Sequence, residues 1–585
     1  MNLFVRNSTA AALAIALGAA SHGADLAVHT FERQQLTDVY FSEGVGAGDI
    51  DGDGDMDVVY GPYWYAGPDF ETAHEIYPPK PQPTERYADH FFAWVHDFDD
   101  DGANDVFAVG FPGTPAHVYQ NPGAKGLDQH WAKHEVFDWV SNESPHFTDI
   151  VGDGRPELVC TRDGFFGYAT IDRQKPFAAW TFHTVSEKIA PPRFGHGLGV
   201  GDINGDDRKD IIFSGGWLEQ PAELESAQKW TLHEVPLTDS YGGAEMHAYD
   251  VDGDGDSDVV TSLAAHDFGL AWYEQVRDGE RISFEKRLIM GTRPEQNAYG
   301  LVFTEPHSVQ LADMDGDGLK DIVTGKTYYS HHKQSPMWDA GAVAYWFRLV
   351  RGADGVDWVP YKADGEAGIG RQVGVFDLDG DRLPDIITGG MKGAHVLRHR
   401  RREVSEAEWR AAQPKPYEGA GAEEARRGPV PVFDEATGKV AGAIEGEDLR
   451  VIEAGAGKVA TQNMDGFKAA RWSGGKQLFW TGAKPRARLH LELEVEEGGR
   501  FDVAAVFTVA RDYAVINVLL DDEALGPPLD LFEYPDVKTT GLLALGTREL
   551  TAGKHKLTLE IIGANEAAAK AYMVGLDLVR LTPSA

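Results

Sequence analysis

Apolar residues along this chain come in short β-branched and aromatic runs, not at helical spacing. The runs DVVYG, DVFAVG, ELVCT, DIIFSGG, DVVTS, DIVTG and DIITGG are bounded by turn residues, as brief buried strands are. Each follows an Asp-rich loop. The loops start at Asp49, Asp97, Asp149, Asp202, Asp250, Asp313 and Asp377, at intervals of 48, 52, 53, 48, 63 and 64 residues. Most units then carry an aromatic strand, as in VYQNP, WLEQP, WYEQ and YWF. An outer strand follows: HEIY, WAKHEV, WTFHTV, WTLHEV, FEKRLI or WVPYKA. Four strands per repeat at this spacing read as the blade of a β-propeller. Only six outer strands follow the seven loops. The seventh is AVHTFE, Ala27 to Glu32, ahead of the first loop. An N-terminal strand that completes the last blade closes the ring and removes an open edge.

The pattern changes after residue 402. A charged stretch with Ala and Pro, 403–429, reads as a linker, in part helical. Alternating strands then appear in RLHLELEV, FDVAAVFTV, AVINVLLD and KLTLEII, while the Asp loops stop. The expectation is therefore an all-β chain: a seven-bladed β-propeller over 25–402 followed by a jelly-roll β-sandwich over 430–585.

Alternating acids on a tight loop deliver the oxygens a hard cation such as Ca²⁺ takes. Positions 1, 3, 5 and 9 of each loop supply them. The sets are Asp49, Asp51, Asp53 and Asp57; Asp97, Asp99, Asp101 and Asp105; Asp202, Asn204, Asp206 and Asp210. The later ones are Asp250, Asp252, Asp254 and Asp258; Asp313, Asp315, Asp317 and Asp321; Asp377, Asp379, Asp381 and Asp385. The third loop is degraded: Val151 offers no side-chain oxygen. About six structural calcium sites are expected. A strand, not a helix, follows each loop, which argues against EF-hands.

Composition adds context. The 585 residues exceed what one core usually organises. Net charge is −39, which disfavours nucleic acid and anionic membranes as partners. Arg6, the apolar Ala10 to Ala20 and the small residues up to Ala24 read as a signal peptide over 1–24, so a secreted or periplasmic protein is expected. No later stretch is long and apolar enough for a membrane span. Cys160 is the single cysteine, so no intrachain disulfide can form and calcium is the expected staple.

Residues five to seven before the loops should gather near one mouth of the channel. They are Glu43, His90, Glu143, His196, Glu245, His307 and Arg371, with His146 and His247 three before theirs. Loops leaving the inner strands add Tyr63, Trp64, Trp217, His266, Asp267, Lys326, Tyr328, His331 and His332. Such a ring suits a sugar site with acid/base groups; His196, His307, Glu43, Glu143, Arg371 and His247 are the candidate catalytic set. Imidazoles of His196, His247 and His307 would also suit a transition metal, although no HxH or HExxH spacing supports one.

The repeats resemble FG-GAP/VCBS-type propellers over about Ala27 to Arg402. That resemblance implies the propeller and its calcium but no single activity. HSVQLADMDGDG, around His307, is similar to the propeller part of aldos-2-ulose dehydratases, which eliminate water from keto-sugars. No cupin-like region follows here, and no catalytic residue is carried over. The run from IEGEDL to GLDLVRL, with QLFW, RDYAVINVLLDDEAL and LTAGKHKLTL between, resembles galactose-binding-like modules of bacterial carbohydrate enzymes. Together these imply a carbohydrate or glycan as partner and lyase- or dehydratase-type processing; the alternative is a non-catalytic adhesion or binding scaffold of the integrin-head kind. Trp472, Trp480, Tyr513 and Tyr534 are candidate stacking aromatics, with core packing as the competing role for each.

Overall fold

The computed structural model describes residues 26–224, 228–238, 242–279, 281–328, 335–353, 355–418 and 427–584. The expected signal peptide and His331 and His332 lie outside them. The chain divides into two compact units, one within 1–421 and the other within 422–585, which also takes in 333–338. No helix among the described residues is long and apolar enough to cross a membrane.

The first unit is built of four-stranded antiparallel meanders. The first is Gly46–Gly48, Asp57–Tyr60, Tyr63–Tyr65 and Ala73–Glu75. The second and third run from His90–His96 to Ala132–Val140 and from His146–Thr148 to Thr181–Lys188. The fourth (Leu198–Gly201 to Thr231–Glu234) and fifth (Glu245–Tyr249 to Arg281–Met290) merge into one eight-stranded sheet through a short parallel contact of their first strands. The sixth runs from Gln310–Ala312 to Gly355–Asp364. The seventh has Val373–Phe376, Asp385–Thr388 and Ala394–Glu403, and its fourth strand is Ala27–Thr37, in register from Ala27↔Glu403 to Thr37↔Ala394.

Apolar side chains pack between consecutive meanders rather than inside each. Val59, Trp64, Val106 and Tyr119 share a core between the first two. Phe107, Val118 and Leu158 join the second to the third. The series continues until Val58, Tyr60, Ile387 and Val396 join the seventh to the first. Outer-strand tryptophans stitch the edges: the Trp131, Trp180 and Trp230 N–H groups donate to Ile76, Val136 and Val185 carbonyls of the preceding meander at 2.9, 2.7 and 2.8 Å. The Gln and Asn of the QNP, EQP and YEQ motifs do the same from their side chains. Asn121, Gln220 and Gln275 donate to the Ile50, Ile150 and Ile203 carbonyls of the preceding loop.

The Asp loops join the first two strands of each meander. Gly52 and Gly54 hold φ of 79° and 97°, which a side chain would disfavour. Position nine has a further job. Asp258 is buried, and its two oxygens accept the Val251 N–H at 2.9 Å and the Gln275 N–H at 2.7 Å. The same double acceptance recurs at Asp57, Asp105, Asp210, Asp321 and Asp385. In the degraded third loop Glu157 still accepts the Ile150 N–H at 3.1 Å.

The expected linker 403–429 is in part structured. Glu406–Ala412 is a helix with a Ser405–Glu408 capping box, and the Tyr417 N–H donates to the Ala298 carbonyl at 2.7 Å, so this segment belongs to the first unit through residue 418.

The second unit has two antiparallel sheets around one core. One is ordered Lys458–Asn463, Lys476–Thr481, Val574–Pro583, Gly499–Val509; the other Arg450–Ala454, Arg488–Val495, Gly553–Gly563, Val515–Leu520. Trp472, Trp480 and Tyr513 are buried, and the Trp472 and Trp480 indoles donate to Thr508 Oγ1 and the Ala456 carbonyl. Tyr534 is half-buried.

Candidate functional site

The first strand of each meander starts where its neighbours also start, and the residue six before the Asp loop points to one common place. That register carries Glu43, Glu143, His196, His307 and Arg371. Backbone bonds between neighbouring meanders fix it: the Glu143 N–H donates to the Gly195 carbonyl and the Arg371 N–H to the Glu43 carbonyl, both at 2.8 Å.

Glu143 Oε2 lies 3.1 Å from His307 Nε2 and 3.5 Å from Arg371 Nε. The His307 ring meets His196 and His266 edge-on, with centroids 5.2 and 4.8 Å apart. Nε2 of His196 and Nε2 of His266 are 3.1 Å apart. One donor atom from each of Glu143, His196, His266 and His307 falls within 4.8 Å of all the others. Glu143, His266 and His307 are buried and His196 is half-buried, so the cluster has one side toward solvent. Burial, then the neighbouring His307 and His196, drives the His266 pKa well below the usual histidine range, which keeps this imidazole neutral.

A shell of charge surrounds the cluster. Arg371 has no exposed surface. Burial opposes its charge, but Tyr87, Glu43 and Glu143 outweigh burial and hold the guanidinium above its ordinary pKa. Its carbon sits 4.7 Å from the centre of the Tyr87 ring. Glu43 accepts from the Tyr40 hydroxyl, and burial is the main cause of its raised pKa. Lys326 and Glu305, both buried, form an ion pair. Glu305 sits at φ 60°, and its carbonyl accepts the His307 and Thr327 N–H groups. A side chain held in the left-handed region beside a polar cluster is the kind of strain functional sites carry.

Tyr87 is also a wall of a cavity of about 590 Å³, lined further by Arg86, His90, Phe111, His117 and Lys133. Arg193 stacks over Phe111 and over the exposed Phe194, two residues before His196.

Three expectations resolve differently. His247 stands apart from the cluster: its Nε2 faces the Val309 carbonyl at 2.7 Å and its ring meets His146. It lies three residues before its loop instead of six, further along the inner strand. His90 and Glu245 are each one residue out of register. His90 therefore turns to the Tyr77 hydroxyl (2.6 Å), and Glu245 accepts from Ser308 Oγ and the Val309 N–H. Of the loop residues, His266 joins the cluster, while Trp64 and Trp217 are core. Tyr40, Tyr87 and Glu305 were not singled out from the sequence.

The Asp loops offer only oxygen donors. The oxygens of Asp49, Asp51 and Asp53 lie within 4.8 Å of one another, as do those of Asp97, Asp99 and Asp101, of Asp250, Asp252 and Asp254, and of Asp313, Asp315 and Asp321. That donor set fits a hard cation. In the fourth and sixth loops an arginine also approaches the carboxylates: Arg208 pairs with Asp206, and Arg348 lies 2.5 Å from Asp315.

No family model matches the chain, and no curated protein matches it. Solved structures are similar at a distance. A Podospora anserina GH26-CBM35 β-(1,4)-mannanase is 18% identical over 24% of this chain and 27% of its own, at a TM-score of 0.18. A Paenibacillus xanthan lyase is 10% identical over 88% of this chain and 44% of its own, at 0.22. An exo-β-1,3-galactanase from Phanerochaete chrysosporium is 10% identical over 84% of this chain and 95% of its own, at 0.20. The chain thus spans less than half the length of the mannanase and the lyase. At TM-scores below 0.5 these likenesses carry no function over to this chain.

Proposed function

We propose that the first unit is a seven-bladed, calcium-loaded β-propeller of a secreted protein, and that it binds and processes carbohydrate at the mouth where the inner strands begin. The ring reading rests on the shared core between the seventh and first meanders and on the strand Ala27–Thr37 that completes the last sheet. The single observation that carries the site is the meeting of Glu143, His196, His266, His307 and Arg371, drawn from five different meanders, at contact distance.

The reaction this equipment suits is elimination from a keto-sugar or uronate. Tyr87, a wall of the cavity and acting as the phenolate beside the Arg371 guanidinium, takes the proton from the carbon beside the carbonyl. The C–H electron pair becomes the new C=C bond as the β-oxygen leaves, and Tyr87 returns its proton to that oxygen. A positioned acid/base group of this kind is worth about 10²–10⁴ in rate. His196, the half-buried member of the cluster, faces the carbonyl side, where negative charge develops, and the buried Arg371 acts through Tyr87 and Glu143. Aromatic faces at Phe111 and Phe194 are platforms for sugar rings. The second unit serves as a carbohydrate-binding tether.

A panel of keto-sugars, uronate polymers and neutral glycans incubated with the full chain tests this. The reading expects one class to yield a product with a new double bond, lost in Tyr87→Phe. A panel left chemically unchanged, whether or not a glycan binds, refutes the processing and leaves the adhesion alternative.

A further inference from the structure

We propose that Glu143, His196, His266 and His307 bind one divalent first-row transition ion, distinct in kind from the calcium of the Asp loops. The four groups come from four successive meanders, and a donor atom of each lies within 4.8 Å of every other. Three imidazoles and one carboxylate form a nitrogen-rich set, which suits Mn²⁺ to Zn²⁺ and not Ca²⁺, whose ligands are all oxygen.

Two pairs of donors stand 3.1 Å apart: His196 Nε2 with His266 Nε2, and His307 Nε2 with Glu143 Oε2. With metal–ligand bonds of about 2.1 Å, one ion can reach both members of each pair. His196, half-buried, marks the side open to water or a substrate oxygen.

Outer contacts of the kind that orient metal ligands are present. Arg371 holds Glu143 Oε2 from 3.5 Å, and the His307 backbone N–H is tied to the Glu305 carbonyl at 2.8 Å. An ion bound here supplies Lewis acidity to a carbonyl or carboxylate oxygen. The inference deepens the proposed reaction by giving that oxygen a partner, but it is decided by metal content alone.

The test uses the full chain, stripped with a nitrogen chelator such as 1,10-phenanthroline in excess Ca²⁺, so that the loops stay supplied. Co²⁺ is then titrated and its visible d–d absorption recorded, with elemental analysis after Mn²⁺ and Zn²⁺ loading. The expected result is one equivalent per chain and a d–d spectrum of mixed nitrogen and oxygen ligation. His266→Gln and Glu143→Gln should each weaken Co²⁺ binding at least about 10-fold, and Arg371→Met, as a positioning residue, by about 10–100-fold. His247→Gln should change nothing. Wild-type protein that takes up no Co²⁺ beyond the loops overturns the proposal, whatever the variants do. So does a folded His196→Gln, His266→Gln, His307→Gln triple variant that binds Co²⁺ as wild type does. A chain that binds the ion but transforms no sugar refutes the proposed reaction alone; a chain that transforms the sugar but takes up no ion beyond the loops refutes the metal alone.

Discussion

Asp258→Ala separates two roles that the ninth acid of each loop combines. In the fifth meander both Asp258 oxygens accept buried backbone N–H groups, from Val251 and from Gln275. Alanine leaves both donors unpaired, at about 1–3 kcal/mol each, or roughly 2–6 kcal/mol together. Unfolding entropy is about 2.1 cal/mol/K per residue, so across residues 26–404 this loss is a fall of roughly 3–8 °C in the melting of the first unit. The part that comes from backbone donors should persist in EDTA, and in Ca²⁺ the lost ligand of the same loop should add to it. Asp252, by contrast, accepts the Asp254 N–H within its own exposed turn. Asp252→Ala should lower melting in Ca²⁺ and do little in EDTA. Calorimetry of both variants in both buffers is the assay. An Asp258→Ala protein that melts with wild type in EDTA would sink the anchoring argument.

Calcium removal should lower the melting of the first unit before that of the second, since each site at a free ion concentration of 100 Kd adds about 2.7 kcal/mol; an unchanged first transition in EDTA means the loops hold no ions. Residues 427–584 should melt cooperatively when expressed alone, since one core joins both of their sheets; a non-cooperative melt counts against an independent domain. Burial pushes the Glu245 carboxyl up to about 7. A raised acid stabilises the fold while protonated, so its contribution is lost as pH rises from about 4.5 to 7, a difference of about 3 kcal/mol. Glu245→Gln should therefore melt above wild type beyond pH 7 and show a flatter profile across that window; an unaltered slope shows that Glu245 does not titrate there.

Strands and loops were legible because their signal is local. A β-rich run after DxDGDG fixes a strand whatever surrounds it, and each predicted outer strand, AVHTFE included, is the outermost strand of its meander. The site was partly legible for the same reason. Equal spacing from equivalent loops brought Glu143, His196, His307 and Arg371 together, while His90 and Glu245, one residue off, face elsewhere. The rest depends on how loops close. His266 is an ionisable group in the apolar stretch SLAAHDFGLAW, a signal that marks it as unusual but not where it goes. Tyr87 lies in a strandless connection, and its meeting with Arg371 links the start of the second meander to that of the seventh. The fragment 403–418 read as linker by composition, yet a capping box and one backbone bond dock it on the first unit.

The central claim is that one register of the inner strands builds the working site. Turnover of the active carbohydrate by a His196→Ala, His307→Ala double variant tests it most directly, with melting measured alongside. The account predicts a loss of at least about 10²-fold with the fold retained. A folded double variant that binds and transforms the carbohydrate as wild type does would contradict it.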